Sequence, residues 1–443
     1  MKKILFILLA VLLSSSLMAE DHVMAATHGA KKPAENAAPK VLSVSLKEAQ
    51  DYAVKQNRSL KNASLAVQEA YAARWQTIAA MLPQVDGSYS YSNMFNYKLD
   101  FNGMAMPMTN TGTLNITAGV GINGQAIVGA LLNTIAIDMK KIALEQSESQ
   151  LRGSVMSAYI SLQALKSISD LLDSSLVNIQ ELEAMTQNAV NVGAAEQTKA
   201  DQIRVRVNTM KNSINVQQRN IELATNSLKV LLDVPVETEL VLTENMEDVL
   251  SPERVLDLLG QNFAIENNLN YQLLQKQVDL AKKNVHMAGW AYGPTVSLAY
   301  QYSDVQKFGD GFGGMSMPHV LNLSLKMPLW SSGKRAAGVV EKKIALEEAK
   351  NNLSETTDNL EIQYHQLCFN LTNAYETYLN EKENIDVAQR VFASATNKYK
   401  YGASSNMELT NASNDLINAQ SSYVQSIVTL VNAQVELEKF LNN

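Results

Sequence analysis

A mainly α-helical chain with a membrane β-barrel part, built as a tandem duplication of helix, two strands and helix, is the fold class the sequence predicts. Three observations predict it. Two very long stretches carry apolar residues at threes and fours without a proline, four short stretches alternate apolar and polar residues, and landmarks of the first half recur in order about 210 residues later. After the N-terminus no apolar run reaches the roughly 18 residues a transmembrane helix needs. The other structure that can span a bilayer is a closed β-barrel.

The first segment, MKKILFILLAVLLSSSLMAED, has a basic start (Lys2, Lys3), an apolar stretch from Ile4 to about Leu13 and a small-residue exit near Ala19. This pattern predicts a signal peptide over residues 1–19, followed by an Ala-, Lys- and Pro-rich disordered lead-in over 20–40. Its removal takes Lys2 and Lys3 with it, so the formal net charge moves from −7 to −9. An acidic balance argues against a nucleic-acid partner. The single cysteine, Cys368, permits no internal disulfide, and no cysteine follows the cleavage site to carry a lipid anchor.

Two repeats are expected, over 41–240 and 241–443. In the first, Ser45 caps the helix of SLKEAQDYAVKQN, with Glu48 at the capping-box position. A second helix from about Ser59 to Ala80 ends at Pro83, which cannot continue it. Strands follow over about 84–92 and 113–123, with NMFNYKLDFNGMAMPMTN between them as an exposed loop. Their counterparts in the second repeat span about 295–303 and 319–329, joined by the Gly-rich VQKFGDGFGGMSMP. Pro83 in LPQV is answered by Pro294 in GPTV, Tyr159 by Tyr375, and Gly193 by Gly402.

In the last strand Leu321, Leu323, Leu325 and Met327 alternate with Asn322, Ser324 and Lys326, so the apolar set is expected to face lipid and the polar set water. Trp290, Tyr292 and Trp330 flank strand ends, as an aromatic girdle at the headgroup level requires; core packing is the alternative. The long helices, about 130–192 and 334–399, would each extend on the order of 100 Å at 1.5 Å per residue. No compact domain of this length holds such a helix, so lateral packing as coiled coil or helical barrel follows. Two strands per repeat give four per chain, against about eight in the smallest membrane barrels. Two copies would make a nearly filled barrel and three a 12-stranded one with room for a pore. The small Ser, Asn, Thr and Gly of the polar faces favour three.

The SLKEAQDYAVKQN opening, LPQV before the first strand, MPLWSSGKRAAG after the last, and YKYGASSNMELTNASNDL near the end together resemble the TolC family of outer-membrane efflux proteins over essentially all of the mature chain. The resemblance implies a homotrimer with a 12-stranded barrel in the lipid of the Gram-negative outer membrane, continuous with a long periplasmic α-helical barrel. It also implies a periplasmic adaptor and an inner-membrane pump of the RND or ABC type as partners, for efflux or type I secretion. One departure is visible: NGQAIVGALLN stands where the family carries a proline and two glycines after the second strand.

By position, the family's adaptor-contacting tips fall on Val192, Gly193, Ala194 and Ala195 and on Tyr401, Gly402, Ala403 and Ser404. Plain helix termination is the alternative, since glycine supplies the left-handed turn in either case. The family's pore-constricting acidic positions fall on Glu408 and Asn411, of which only the first keeps its charge. Asp201 is a weaker candidate in the first repeat. A solvated surface is the alternative for Glu408.

Nothing in the sequence marks an enzyme or a cofactor site. The histidines at 22, 28, 286, 319 and 365 are scattered without metal-ligand spacing, and the GFGG after Asp310 lacks both a following helix and the Lys-Ser/Thr ending of a phosphate loop. A trimeric coiled-coil surface or structural protein with a β-barrel anchor is the rival to a passive exit duct.

Overall fold

The computed structural model describes residues 41–441, apart from positions 96, 102, 245–251, 311 and 314–316. The expected signal peptide and lead-in lie outside the described residues. The chain forms two compact units, one made of Leu65–Lys141 and Leu273–Ser354, the other of Ile142–Gln272, Glu355–Asn443 and the described part of Pro33–Ser64.

The elements run in the order β1 (Val41–Val44), α1 (Leu46–Gln56), α2 (Arg58–Ala79), β2 (Gln84–Ser92), β3 (Lys98–Phe101), β4 (Met104–Pro107), β5 (Asn110–Asn123), α3 (Gly124–Asn191), α4 (Gln197–Leu232), β6 (Glu239–Leu242), α5 (Pro252–Gly260), α6 (Leu269–Gly289), β7 (Thr295–Phe308), β8 (His319–Lys326), α7 (Lys334–Lys400) and α8 (Asn406–Leu441). Short 3-10 turns occupy Ile265–Asn267 and Trp290–Tyr292. Among the described residues no helix is long and apolar enough to cross a membrane.

In the first unit β2, β5, β7 and β8 make one antiparallel sheet in that order. The strands depart from their expected limits in three places. The second begins at Asn110 rather than 113, and the third continues to Phe308 rather than 303. The fourth stops at Lys326 rather than 329, just ahead of Pro328, which has no amide to donate to a ladder. The stretch expected to be a plain loop contains a hairpin, β3 paired with β4, closed through Gly103 at φ 81°.

The second unit holds the larger core. Leu46, Ala49 and Ala53 of α1 pack in one buried cluster with Val155, Met156, Tyr159 and Leu162 of α3, Leu228 of α4, Leu371 of α7 and Leu430 of α8. The cap expected at Ser45 is present: its hydroxyl accepts from the Glu48 amide, and the Glu48 carboxylate accepts from the Ser45 amide at 2.9 Å. Tyr159 has no exposed surface, and its hydroxyl donates to the Val44 carbonyl at 3.0 Å and accepts from the Glu244 amide at 3.3 Å. A short parallel pair, β1 with β6, completes this region. A second cluster lies nearer the hairpin turns, with Ile179 and Leu182 of α3, Ile203 and Val207 of α4, Phe392 of α7, and Leu409 and Leu416 of α8.

Candidate functional site: a two-faced sheet and a pair of hairpin tips

The strand register decides which residues share a face of the sheet. Leu325 pairs with Val296, which pairs with Ile122; Leu323 pairs with Leu298 and Val120; Leu321 pairs with Tyr300 and Ala118, opposite Val85. Paired residues in adjacent strands point to the same side, and successive residues alternate. In these rows one face is therefore apolar or aromatic, and towards the far end of β7 the same face carries His319, Asp304 and Gln306. The other carries Ser324, Ser297 and Gly121 in one row and Asn322, Ala299, Gly119 and Gln84 in the next. The expected lipid-facing residues Leu321, Leu323 and Leu325 are 69%, 76% and 70% exposed, so among the described residues none covers their face. Met327, also exposed, lies one residue beyond the strand.

The aromatic residues near the strand ends have separate roles in this unit. The indole of Trp290 lies against Gly124 and Gly293. The guanidinium of Arg335 sits 5.0 Å from the ring centroid of Tyr292 while donating to the Pro328 carbonyl at 2.6 Å and the Ser331 hydroxyl at 2.9 Å. This ties the end of β8 to the start of α7 across Ser332 and Gly333, both at positive φ. Trp330 is 86% exposed.

In the second unit the two helical hairpins end alike. Gly193 has φ 74° and Gly402 φ 70°. The Gly193 amide donates to Val190 and the Ala194 amide to Ala189; the Gly402 amide donates to Tyr399 and the Ala403 amide to Lys398. Each is the paired 6→1 and 5→2 arrangement that satisfies the last carbonyls of a helix and demands a left-handed residue. Val192, Gly193, Ala194, Tyr401, Gly402 and Ala403 are exposed, Ala195 and Ser404 partly so.

Beyond the second tip, Ser405 caps α8 by accepting from the Glu408 amide at 3.1 Å, and the Glu408 carboxylate accepts from the Ser404 hydroxyl at 2.8 Å. Lys398 lies 3.9 Å from the same carboxylate. Glu408 and Asn411 line one groove of about 680 Å³ between α7 and α8. Asp415, one turn further, lines it too, with Arg390 and Lys398 opposite. Its spacing of three and seven residues from Glu408 to Asn411 and Asp415 is the signal that finds it, since these positions share a helix face. Asp201 does not line this groove. It accepts from Gln197 at 3.0 Å and lies 3.9 Å from Arg204, which in turn bonds Glu183 across the first hairpin at 3.2 Å.

A sheet with one apolar and one polar face in the first unit and long helices ending in paired left-handed tips in the second are the features to set beside known proteins. Residues 262–443 match the family described as outer membrane efflux protein. The probable efflux pump outer membrane protein TtgC of Pseudomonas putida is 22% identical over 68% of this chain and 62% of its own length. The chain thus spans less than two thirds of that relative. Toxin and drug export protein A of Aggregatibacter actinomycetemcomitans is 21% identical over 85% of this chain and 82% of its own. The solved structure of CusC superposes with a TM-score of 0.71 at 18% identity, covering 93% of this chain and 95% of that one. The match of residues 262–443 and these relatives agree with the resemblance to the TolC family read from the motifs. By its name, TtgC is a protein of the outer membrane. The matched family and structures are channel proteins rather than enzymes.

Proposed function

We propose that this chain is the passive exit duct of a tripartite efflux pump or a type I secretion system, working as a homotrimer. The observation that carries the reading is the sheet of four strands with an open edge at each side, β2 and β8, and one face apolar or aromatic over the rows of Leu321, Leu323 and Leu325. Open edges are not tolerated in hydrocarbon. Four strands fall short of a barrel, and three copies make one of 12 strands. The polar face of Ser, Asn, Thr and Gly then lines a water-filled lumen, and residues 41–240 and 241–443 act as tandem repeats contributing two strands each. Trp290, Tyr292 and Trp330 sit at the headgroup level.

The tips around Gly193 and Gly402 meet a periplasmic adaptor, which links the duct to an inner-membrane pump of the RND or ABC type. Energy comes from that pump. Small molecules or proteins pass outward, as the names of the drug and toxin exporters among the relatives support. An adhesin fits less well, because each strand pair is flanked by helices on both sides where a single terminal anchor would suffice.

Light scattering of the detergent-extracted protein tests the assembly, with a mass of three copies expected; a monomer or dimer overturns it. Ion conductance across planar bilayers tests the duct, and a trimer that never conducts rules it out. Gly402→Leu is expected to abolish adaptor cross-linking while leaving trimers intact; unchanged cross-linking would reject the tip assignment.

A further inference from the structure

We propose that the row Met104, Met106 and Met108 on the β3–β4 hairpin binds a soft monovalent cation, copper(I) or silver(I), through neighbouring pairs of its thioethers. The three methionines alternate with Ala105 and Pro107, so period-two geometry places all three thioethers on one face. The ladder fixes that face: Leu99 pairs with Met106, and the Met108 amide donates to the Tyr97 carbonyl at 2.8 Å, extending the pairing by a step. Consecutive members of the row are about 7 Å apart at Cα, from a rise of about 3.4 Å per residue. Unbranched methionine side chains turn about three bonds and can bring neighbouring sulfurs onto one ion from that spacing.

Packing within the chain does not account for the choice of residue. Met104 is 70% exposed and Met106 37%, while Met108 is half-buried. Leucine would serve an apolar face equally well without a sulfur that oxidises readily on an exported protein. Thioethers are neutral, soft ligands that select copper(I)-like ions over the hard cations bound by carboxylates. Groups of His, Cys, Asp or Glu able to hold a metal do not occur among the described residues, so a harder donor set does not compete. The loop of the second repeat is joined to the hairpin: the Phe312 amide donates to the Pro107 carbonyl at 2.8 Å and the Thr109 amide to the Phe312 carbonyl at 3.2 Å. This loop adds Met317, 74% exposed, at the same end of the sheet. The site stands on this geometry whether or not the chain conducts.

The test titrates the full-length detergent-extracted protein with copper(I) buffered by bicinchoninate under anaerobic reducing conditions. Copper(I) is expected to bind at least tenfold more weakly to M104L/M106L/M108L than to the parent, and zinc(II) to bind both alike. Leucine for methionine conserves volume, so the fold is expected to survive. Equal copper(I) affinity in parent and triple variant overturns the proposal. A measurement on the unaltered protein guards against a misfolded variant. Silver(I) is expected to slow peroxide oxidation of Met104, Met106 and Met108, read by peptide mass spectrometry, while the exposed Met185 and Met407 oxidise at their usual rates. Unchanged rates at the three hairpin methionines overturn the proposal as well.

Discussion

Gly124 lies so close to Trp290 that a Cβ added to it would come 2.1 Å from the indole Cδ2 and 2.2 Å from Cε3. Gly124 is the first residue of α3, at the junction where the chain departs from the family's proline and double glycine. The indole fills that junction instead. Gly124→Ala is expected to destabilise the fold by about 1–3 kcal/mol, the usual cost of overpacking, despite alanine's better helix propensity. Trp290→Leu should restore much of the loss. Thermal unfolding of the two single variants and the double variant checks this, and additive losses would deny the contact.

Tyr159 gives a second, independent measure of how the buried core is specified. Its hydroxyl serves the end of β1 and the residue Glu244 beyond β6, and burial pushes its pKa upward. Tyr159→Phe keeps the ring and leaves the buried Val44 carbonyl without that donor. That carbonyl still accepts from the Thr243 amide at 3.2 Å, so the loss expected is that of an ordinary hydrogen bond, about 0.5–1.5 kcal/mol. Urea unfolding followed by helical circular dichroism reads it; a change below a few tenths would mean that water replaces the hydroxyl.

How much was legible in the sequence follows from the range of each interaction. The alternation of Leu321, Leu323 and Leu325 with Asn322 and Ser324 was readable because both faces of one strand write their environment into neighbouring positions. Gly193 and Gly402 were readable because a left-handed helix end needs glycine locally. The Ser45–Glu48 cap was likewise local. The contact of Gly124 with Trp290 was not readable, because it joins elements distant in sequence with no shared periodicity. The parallel pair of β1 and β6 escaped for a related reason, its four-residue strands being too short for a pattern. The β3–β4 hairpin was hidden by Pro107 and by a turn glycine that also fits a plain loop. Around Glu408, the candidate position itself came from the family resemblance, whereas its Ser404 and Lys398 partners are set by the conformation of the tip.

The left-handed glycines at the tips predict a graded response to substitution. An L-residue at φ near 70° costs roughly 1–2 kcal/mol, and asparagine costs less than other side chains there. Gly193→Ala and Gly402→Ala should each destabilise their hairpin by that order, with Gly→Asn milder. No neighbouring atom lies within 4 Å of a Cβ at either site, so the effect is one of backbone conformation. Amide hydrogen exchange at Ala194 and Ala403 reports it directly, because their protection depends on the 6→1 bonds.

Acid should weaken the second unit through Asp51. The hydrogen bond from Arg152, 2.9 Å from its carboxylate, holds this carboxyl below the usual range. A depressed folded-state pKa contributes stability above the unfolded value, about 3.9, that is lost as pH falls through the folded value. The melting temperature of the parent should therefore drop more between about pH 5 and pH 3 than that of Asp51→Asn. Parallel pH profiles for the two proteins would show that Asp51 takes no part.

If the second tip constricts the proposed duct, the charge at Glu408 should set its ion selectivity. Its carboxylate is half-exposed, held by Ser404 and loosely approached by Lys398. In a trimer three copies would ring a narrow passage and favour cations, an effect largest where water is restricted. Glu408→Gln should lower the cation-to-anion permeability ratio in planar bilayers without lowering trimer yield. Asp415→Asn, on the same groove, should do so more weakly, since it lies further from the tip. Lys398→Gln should act in the opposite sense by removing the nearby counter-charge. Equal ratios in all three variants would move the constriction away from this groove altogether.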